Sequence, residues 1–194
     1  MDSKLKLIVD SLGENKVKLN EPLKDHTILK VGGNASLFFV AFTCREIIKI
    51  EKMARDLKIP FFIFGTGSKI IMSRGFEGVV VKNRTTDIKV VGVKGRVSRA
   101  GMGVAEALVE VESGVSLKKL SDFLSNQHLD SDGIRNIPGT VGGNLVLNRF
   151  LQDNVKLIKV IELGAEEEVK VEELNLRAQI ILSVIFNFKA ESEV

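Results

Sequence analysis

The stretch IPGTVGG, residues 137–143, places Pro138, Gly139, Gly142 and Gly143 within six positions of a chain that has only 3 prolines and 17 glycines. Proline fixes one φ angle, and glycines strip side chains from successive turns, so such a segment presents bare backbone for a close approach. With a helix N-terminus beside it, that backbone suits a planar ring or a phosphate, and close helix–strand packing explains the same composition. A second stretch, FFIFGTGSK, sets Gly65, Thr66, Gly67 and Ser68 directly after an apolar run. Two glycines let consecutive N–H groups converge on an anion, and Ser68 adds a hydroxyl donor, which suits a diphosphate. A plain glycine turn between two strands is the competing reading. Neither stretch has the GxxxxGK[ST] spacing of a phosphate loop. Ile70 stands where a dinucleotide fingerprint after Gly65 needs its third glycine, and Glu106 does the same for GMGVAE.

Other residues capable of chemistry are few. His26 and His128 are the only histidines, and they read as a locally bonded ring and a partner for a helix C-terminus. Cys44 is the single cysteine, which excludes an intrachain disulfide and fits a reducing compartment. It falls in the first turn of an expected helix, where a lowered thiol pKa competes with an inert buried thiol. No His/Cys/Asp grouping has metal-ligand spacing, so no metal is expected.

Several elements must position these stretches. Residues 3–12 carry apolar positions at Leu5, Ile8, Val9 and Leu12, a short amphipathic helix. Extended runs are expected at Thr27–Val31 and Ser36–Phe42, separated by Gly32 and Gly33. Thr43 with Glu46 makes a capping box for a helix that runs toward Pro60. Strands FFIFG and GVVVKN follow, so the first lobe, residues 1–83, is β-β-α-β-β with the glycine loop at one strand end. The second lobe, residues 84–194, is expected to hold extended segments to Ser113 and a helix capped by Ser116. A short helix from Pro138 through Leu147, a hairpin turning at Gly164–Glu166 and a final central strand, IILSVIFNFK, complete it. The fold class is α+β in two lobes.

Composition narrows the function. The 194 residues carry a net charge of +3, with basic and acidic residues mixed, which speaks against a nucleic-acid partner. The 11 phenylalanines, with no Trp or Tyr, lie mostly in apolar runs and read as core. No apolar run approaches the roughly 18 residues of a membrane span, and MDSKLKLIVD is unlike a signal peptide. A cytoplasmic protein without a membrane partner is the expectation.

Together, HTILKVGGNA (26–35), FFIFGTGSK (61–69), GVSLKKLSDFL (114–124) and IPGTVGG (137–143) resemble, in order and spacing, the MurB-type flavoproteins. These are UDP-N-acetylenolpyruvoylglucosamine reductases of peptidoglycan synthesis, within the vanillyl-alcohol-oxidase-like FAD-binding superfamily. The similarity runs from about Pro22 to Phe188. It implies a two-lobed FAD-binding domain with FAD between the lobes. Gly65, Thr66, Gly67 and Ser68 then match the family's pyrophosphate loop, with Lys69 where the family usually has Asn. Ile137, Pro138, Gly139, Thr140, Gly142 and Gly143 match the segment beside the flavin and diphosphate, and Gly32 and Gly33 match a structural turn.

In the family's reaction NADPH reduces the flavin, which passes hydride to the enolpyruvyl ether of a nucleotide sugar, and a serine supplies the proton. That serine and a late glutamate come from a third, substrate-binding domain. Neither matches a residue of this chain, so that domain is expected to be missing, and the partner expected is a separate chain that supplies it or, alternatively, a second copy of this chain in a homo-oligomer. After Asn148 the family has a longer loop, whereas here RFLQDN is expected to lead directly to the next strand. Near EELNLRAQ the family's Tyr-Arg-x-Ser arginine has Arg177 as its one candidate match, without the Tyr or the Ser. The resemblance therefore implies a flavin-dependent reductase, and these departures keep open a non-catalytic flavin- or nucleotide-binding protein of the same fold.

Overall fold

A computed structural model describes residues 3–70, 73–98 and 101–191. The chain divides into two compact units, Met1–Thr85 and Thr86–Val194.

In the first unit, strands β1 (Val17–Pro22), β2 (Asn34–Ala41), β3 (Phe61–Phe64) and β4 (Phe76–Asn83) form one sheet in the order β1-β2-β4-β3. β1 runs antiparallel to β2, while β2 and β3 both run parallel to β4. Parallel neighbours need a crossover, and helix α2 (Cys44–Asp56) supplies it between β2 and β3. Its start is fixed chemically: Glu46 N–H bonds Thr43 Oγ1 at 3.2 Å, and Glu46 Oε2 accepts from Thr43 N–H at 3.2 Å. Such a box satisfies donors that the first helical turn leaves orphaned. α2 lies against β2, β3 and β4, and α1 (Ser3–Leu12) lies against α2. Ile47, Ile50 and Ala54 of α2 are fully buried. On β4 the buried Val79 and Val81 alternate with Val80, which joins Leu23, Ala35, Phe38 and Phe64 in a separate apolar cluster.

The expected strand at Thr27–Val31 is absent. Thr27 Oγ1 donates to Val31 O at 3.1 Å, and Lys30 takes a φ of 54°, so the segment curls into a turn. The strand antiparallel to β2 is instead β1, whose alternation is masked by Asn20 at φ 51° and closed by Pro22. The Phe61-Phe62-Ile63 run is only half-buried, because β3 sits at the sheet edge.

The second unit is a five-stranded antiparallel sheet, β5 (Ile88–Ser98), β6 (Gly101–Glu112), β7 (Val155–Glu162), β8 (Ala165–Val169) and β9 (Gln179–Lys189), in the order β5-β6-β9-β7-β8. β9 is flanked by β6 and β7, as its two-faced apolar run predicts. Helices α3 (Leu117–Asn126), α4 (Val141–Asn144) and α5 (Arg149–Asn154), with Leu145 just after α4, contribute Leu117, Leu120, Leu124, Val141, Leu145 and Leu151 to the same core as Val109, Val160, Val184 and Phe186. Each such fully buried side chain stabilises the fold by about 1.5–3 kcal/mol relative to exposure.

A polar row crosses this sheet. Glu110 of β6 accepts from Lys159 of β7 at 2.8 Å and from Ser183 of β9 at 3.0 Å, and pairs with Lys89 of β5 at 3.4 Å. Burial pushes the Glu110 carboxyl up, but the Lys159 and Ser183 hydrogen bonds and the Lys159 and Lys89 charges hold it below its ordinary value. The hydrogen bond to Glu110 raises the Lys159 ammonium against the opposing effect of burial.

Two expectations for this unit need correction. The helix expected from Pro138 to Leu147 is only α4, because Thr140 rather than Pro138 caps it. RFLQDN does not lead straight to a strand: it forms α5, capped by Asn148, whose Oδ1 accepts from Leu151 N–H at 2.9 Å.

Candidate functional site

In the first unit, β3 ends at Phe64 and the chain enters the loop Gly65–Lys69 at the C-terminal end of parallel strands. In open sheets with parallel strands, ligands gather at that end. Thr66 Oγ1 donates to Ser68 Oγ at 3.2 Å, which sets two hydroxyls side by side. Between them Gly67 has a φ of 72°, a conformation that side chains resist. A Cβ on Gly67 would lie 2.4 Å from the carbonyl oxygen of His26. Gly67 is therefore glycine because the 26–28 turn packs directly on it, and Ile28 N–H donates to Gly67 O at 3.1 Å. Lys69 is exposed.

The turn has its own anchor. The His26 ring stacks on Phe38 with centroids 4.1 Å apart, and its Nε2 lies 2.8 Å from Glu21 Oε1. Burial pushes the Glu21 carboxyl up, but hydrogen bonds from Lys18 and His26 hold it below its ordinary value. Gly33 is likewise a packing glycine, since a Cβ there would lie 2.4 Å from Gly75 N.

In the second unit, residues 139–142 are stitched to the end of β6. Leu117 N–H donates to Gly139 O at 3.0 Å, Val141 N–H to Val115 O at 2.8 Å, and Gly142 N–H to Ser113 O at 2.9 Å. A Cβ on Gly142 would come within 3.0 Å of Ser113 Cβ. Gly139 has a φ of 116°. Asn144, buried, donates to Thr140 O at 2.9 Å and ties the short helix back on its cap. Gly143 differs from Gly142. It is exposed, and the nearest atom to a Cβ there is Thr140 Oγ1 of its own cap, at 3.3 Å. Ile137 packs partly against the core, and Pro138 is exposed.

These placements test the fit of a dinucleotide to each unit. The first unit offers paired hydroxyls on a loop at a strand's C-terminal end, and neutral donors of that kind suit a diphosphate. The second offers Gly143, which is exposed and where a Cβ would crowd only Thr140 Oγ1, so packing constrains it less than Gly142 and its open face can take a ring or phosphate. The fit is good for Thr66, Ser68 and Gly143, whereas Gly67 and Gly142 are glycine for the packing of the chain itself.

Arg177, the catalytic candidate, is exposed between Leu176 and Ala178 in the segment before β9, with its N–H on Asn175 Oδ1 at 3.1 Å. Among the described residues no three His, Cys, Asp or Glu side chains converge as metal donors, and no helix is long and apolar enough to cross a membrane.

One feature of the first unit escaped the motif reading. Lys82 is the register partner of Phe64 in the β3–β4 pairing, and its Nζ stands 6.0 Å from the Phe64 ring centroid. Burial lowers the Lys82 ammonium, and the neighbouring charges of Arg84 and Lys30 lower it further. The signal was present as KNR after the apolar GVVV run, but only strand pairing shows that it borders the glycine loop.

The profile of the FAD binding domain family matches residues 35–150. The UDP-N-acetylenolpyruvoylglucosamine reductase of Geobacillus kaustophilus is 29% identical over 196 residues, covering 92% of this chain and 60% of that protein. The reductase of the same name from Caldanaerobacter subterraneus is 34% identical over 159 residues, covering 78% of this chain and 48% of the relative. The chain thus spans 60% or less of the length of these relatives. Among solved structures, the UDP-N-acetylenolpyruvylglucosamine reductase (MurB) of Thermus caldophilus superposes with a TM-score of 0.66 at 22% identity, covering 91% of this chain and 63% of that one. p-Cresol methylhydroxylase superposes at 0.63 with 13% identity over all of this chain and 45% of the other. At these identities the likeness is one of fold.

Proposed function

From the premise that this chain belongs to the FAD binding domain family, we propose that it is the FAD-holding part of a flavin-dependent reductase of the MurB type. The observation that carries the reading is the pair of hydroxyls, Thr66 and Ser68, presented beside Gly67 at the C-terminal end of β3. In this reading Gly65, Thr66, Gly67 and Ser68 hold the diphosphate, with Lys69 at the loop's exit. Ile137, Pro138, Gly139, Thr140, Gly142 and Gly143 of the second unit lie along the flavin, Gly143 with its open face toward it. When bound, FAD supplies hydride transfer, with NADPH as donor and the enolpyruvyl ether of a nucleotide sugar as acceptor.

What the chain's own residues do is bind and orient. Thr66 donates to Ser68 Oγ and orients it, which leaves the Ser68 hydroxyl proton to donate to a phosphate oxygen. The His26–Phe38 stack and the Ile28–Gly67 hydrogen bond hold the loop in the shape that presents both hydroxyls. Thr140 caps α4 and fixes the backbone on either side of Gly143.

A second reading, a binding protein of this fold without redox turnover, is favoured by Arg177. It stands exposed without the Tyr and Ser that accompany the family's arginine. The visible spectrum of the purified protein, before and after incubation with FAD, tests the binding step. Flavin absorbance that stays with the protein through gel filtration is the expected result, and a protein colourless after incubation overturns the proposal. NADPH oxidation with and without the nucleotide-sugar enolpyruvyl ether then separates the two readings.

A further inference from the structure

Three cations of the first unit come from two segments, Lys82 and Arg84 at the end of β4 and Lys30 in the turn that packs on the glycine loop, and the charges of Arg84 and Lys30 both act on Lys82. Lys82 ends the apolar run of β4 and pairs in register with Phe64, the residue immediately before the loop. Arg84 follows two residues later, its N–H fixed on Ala41 O at 2.7 Å. Lys30 belongs to the turn that Ile28 N–H hooks onto Gly67 O, and its own N–H bonds Thr27 O at 3.3 Å. Among the described residues none of the three has an ion pair, although Lys16, Lys18, Lys89, Lys94, Lys118 and Lys159 all have carboxylate partners. Lys82 is also half-buried against an aromatic ring, which separates it from a freely solvated surface lysine.

Packing like charges together without counter-charge costs free energy, and an anion lying among them returns it. We infer that Lys82, Arg84 and Lys30 form an anion-holding subsite of the first unit that takes phosphate oxygens of a bound dinucleotide on the β4 side of the glycine loop. The identity of that dinucleotide as FAD rests on the reading above; the subsite itself does not. Thr66 and Ser68 supply neutral hydrogen bonds and fix geometry, while the three cations supply the attraction. A lysine is suited to this part because its ammonium acts as a compact point charge with three rotatable donors.

The experiment is calorimetric titration of the whole chain with inorganic pyrophosphate, and in parallel with FAD, using the wild type and Lys82→Met, Lys82→Arg, Arg84→Gln and Lys30→Gln. Lys82→Met keeps the length and apolar stem of the side chain, and its circular dichroism reports whether the fold survives. The expected result is weaker binding of both probes by Lys82→Met, roughly 10-fold or more, as loss of a charge-assisted contact produces. Affinity should return with Lys82→Arg, smaller losses should follow at Arg84 and Lys30, and the salt dependence should flatten in Lys82→Met. Equal affinities for wild type and Lys82→Met, or no binding of pyrophosphate by the wild type, overturn the subsite. Binding of pyrophosphate through Lys82 without binding of FAD upholds the subsite and overturns the FAD reading instead.

Discussion

Replacing Gly67 by alanine separates two reasons for a glycine in a binding loop. In the structure the residue has a φ of 72°, and a Cβ would stand 2.4 Å from His26 O and 3.0 Å from Thr27 Cα. Holding an L-residue left-handed costs about 1–2 kcal/mol. Displacing backbone in a packed region adds about 1–3 kcal/mol. The loss of chain entropy in the unfolded state on going from glycine to alanine returns about 0.4–1 kcal/mol. The net destabilisation is therefore about 2–4 kcal/mol in the flavin-free protein. With a urea dependence of about 1–3 kcal/mol per molar, the midpoint should fall by about 1–2 M. The chain has no Trp or Tyr, so far-UV circular dichroism reports the whole protein. Pulse labelling of Cys44, the single thiol and a residue of the first unit, reports that unit alone. Gly143→Ala is the contrast. It is exposed, with only Thr140 Oγ1 at 3.3 Å, so its stability should change by no more than about 0.5 kcal/mol while FAD affinity falls. An unchanged midpoint for Gly67→Ala in flavin-free protein would refute the reasoning that the chain's own packing requires that glycine.

Thr43→Ala breaks the capping box of α2 and should cost about 1 kcal/mol, measured as a shift of the urea midpoint followed through Cys44 labelling. The Glu110 carboxylate lies below its ordinary value of 4.5, so its stabilisation is complete above that pH and is lost as pH falls through the lowered value. The Lys159 ammonium lies above 10.5, so its share is complete below that pH and is lost as pH rises through the raised value. Glu110→Gln should remove about 1 kcal/mol between those limits and flatten the acid limb of a stability–pH curve; a limb that keeps its slope would count against the pair. Arg177→Ala should leave the unfolding free energy within about 0.5 kcal/mol of wild type, and a loss of NADPH oxidation without a larger change would give it a part in turnover.

Local signals were legible where the deciding partners lie within a few residues. Thr43 with Glu46, and Ser116 for α3, form the expected caps. The hairpin turns at Leu163–Gly164, and the run IILSVIF predicted the central position of β9. The misreadings came from competition that a linear pattern does not show. Thr27–Val31 has strand-like composition, yet Thr27's hydroxyl captures Val31 O and the segment curls onto Gly67. β1 was missed because Asn20 and Pro22 interrupt its alternation. α5 was missed because six residues carry too little periodicity to register. The candidate loops were visible as glycine clusters, but composition could not distinguish Gly142, which faces Ser113, from Gly143, which is exposed. Lys82 needed the parallel register of β3 on β4 before it could be set beside the loop.

The placement of β3 at the border of its sheet bears on how this architecture diversifies. β3 is hydrogen-bonded to β4 on one flank only, and the Gly65–Lys69 loop leaves from its end. The interior strands β2 and β4 can therefore keep their pairing while the border strand's outlet, together with the 26–31 turn that rests on it, is rewritten as a cassette. Because the two segments touch, a destabilising change in one should be rescued by a matching change in the other more than by any change elsewhere in the sheet.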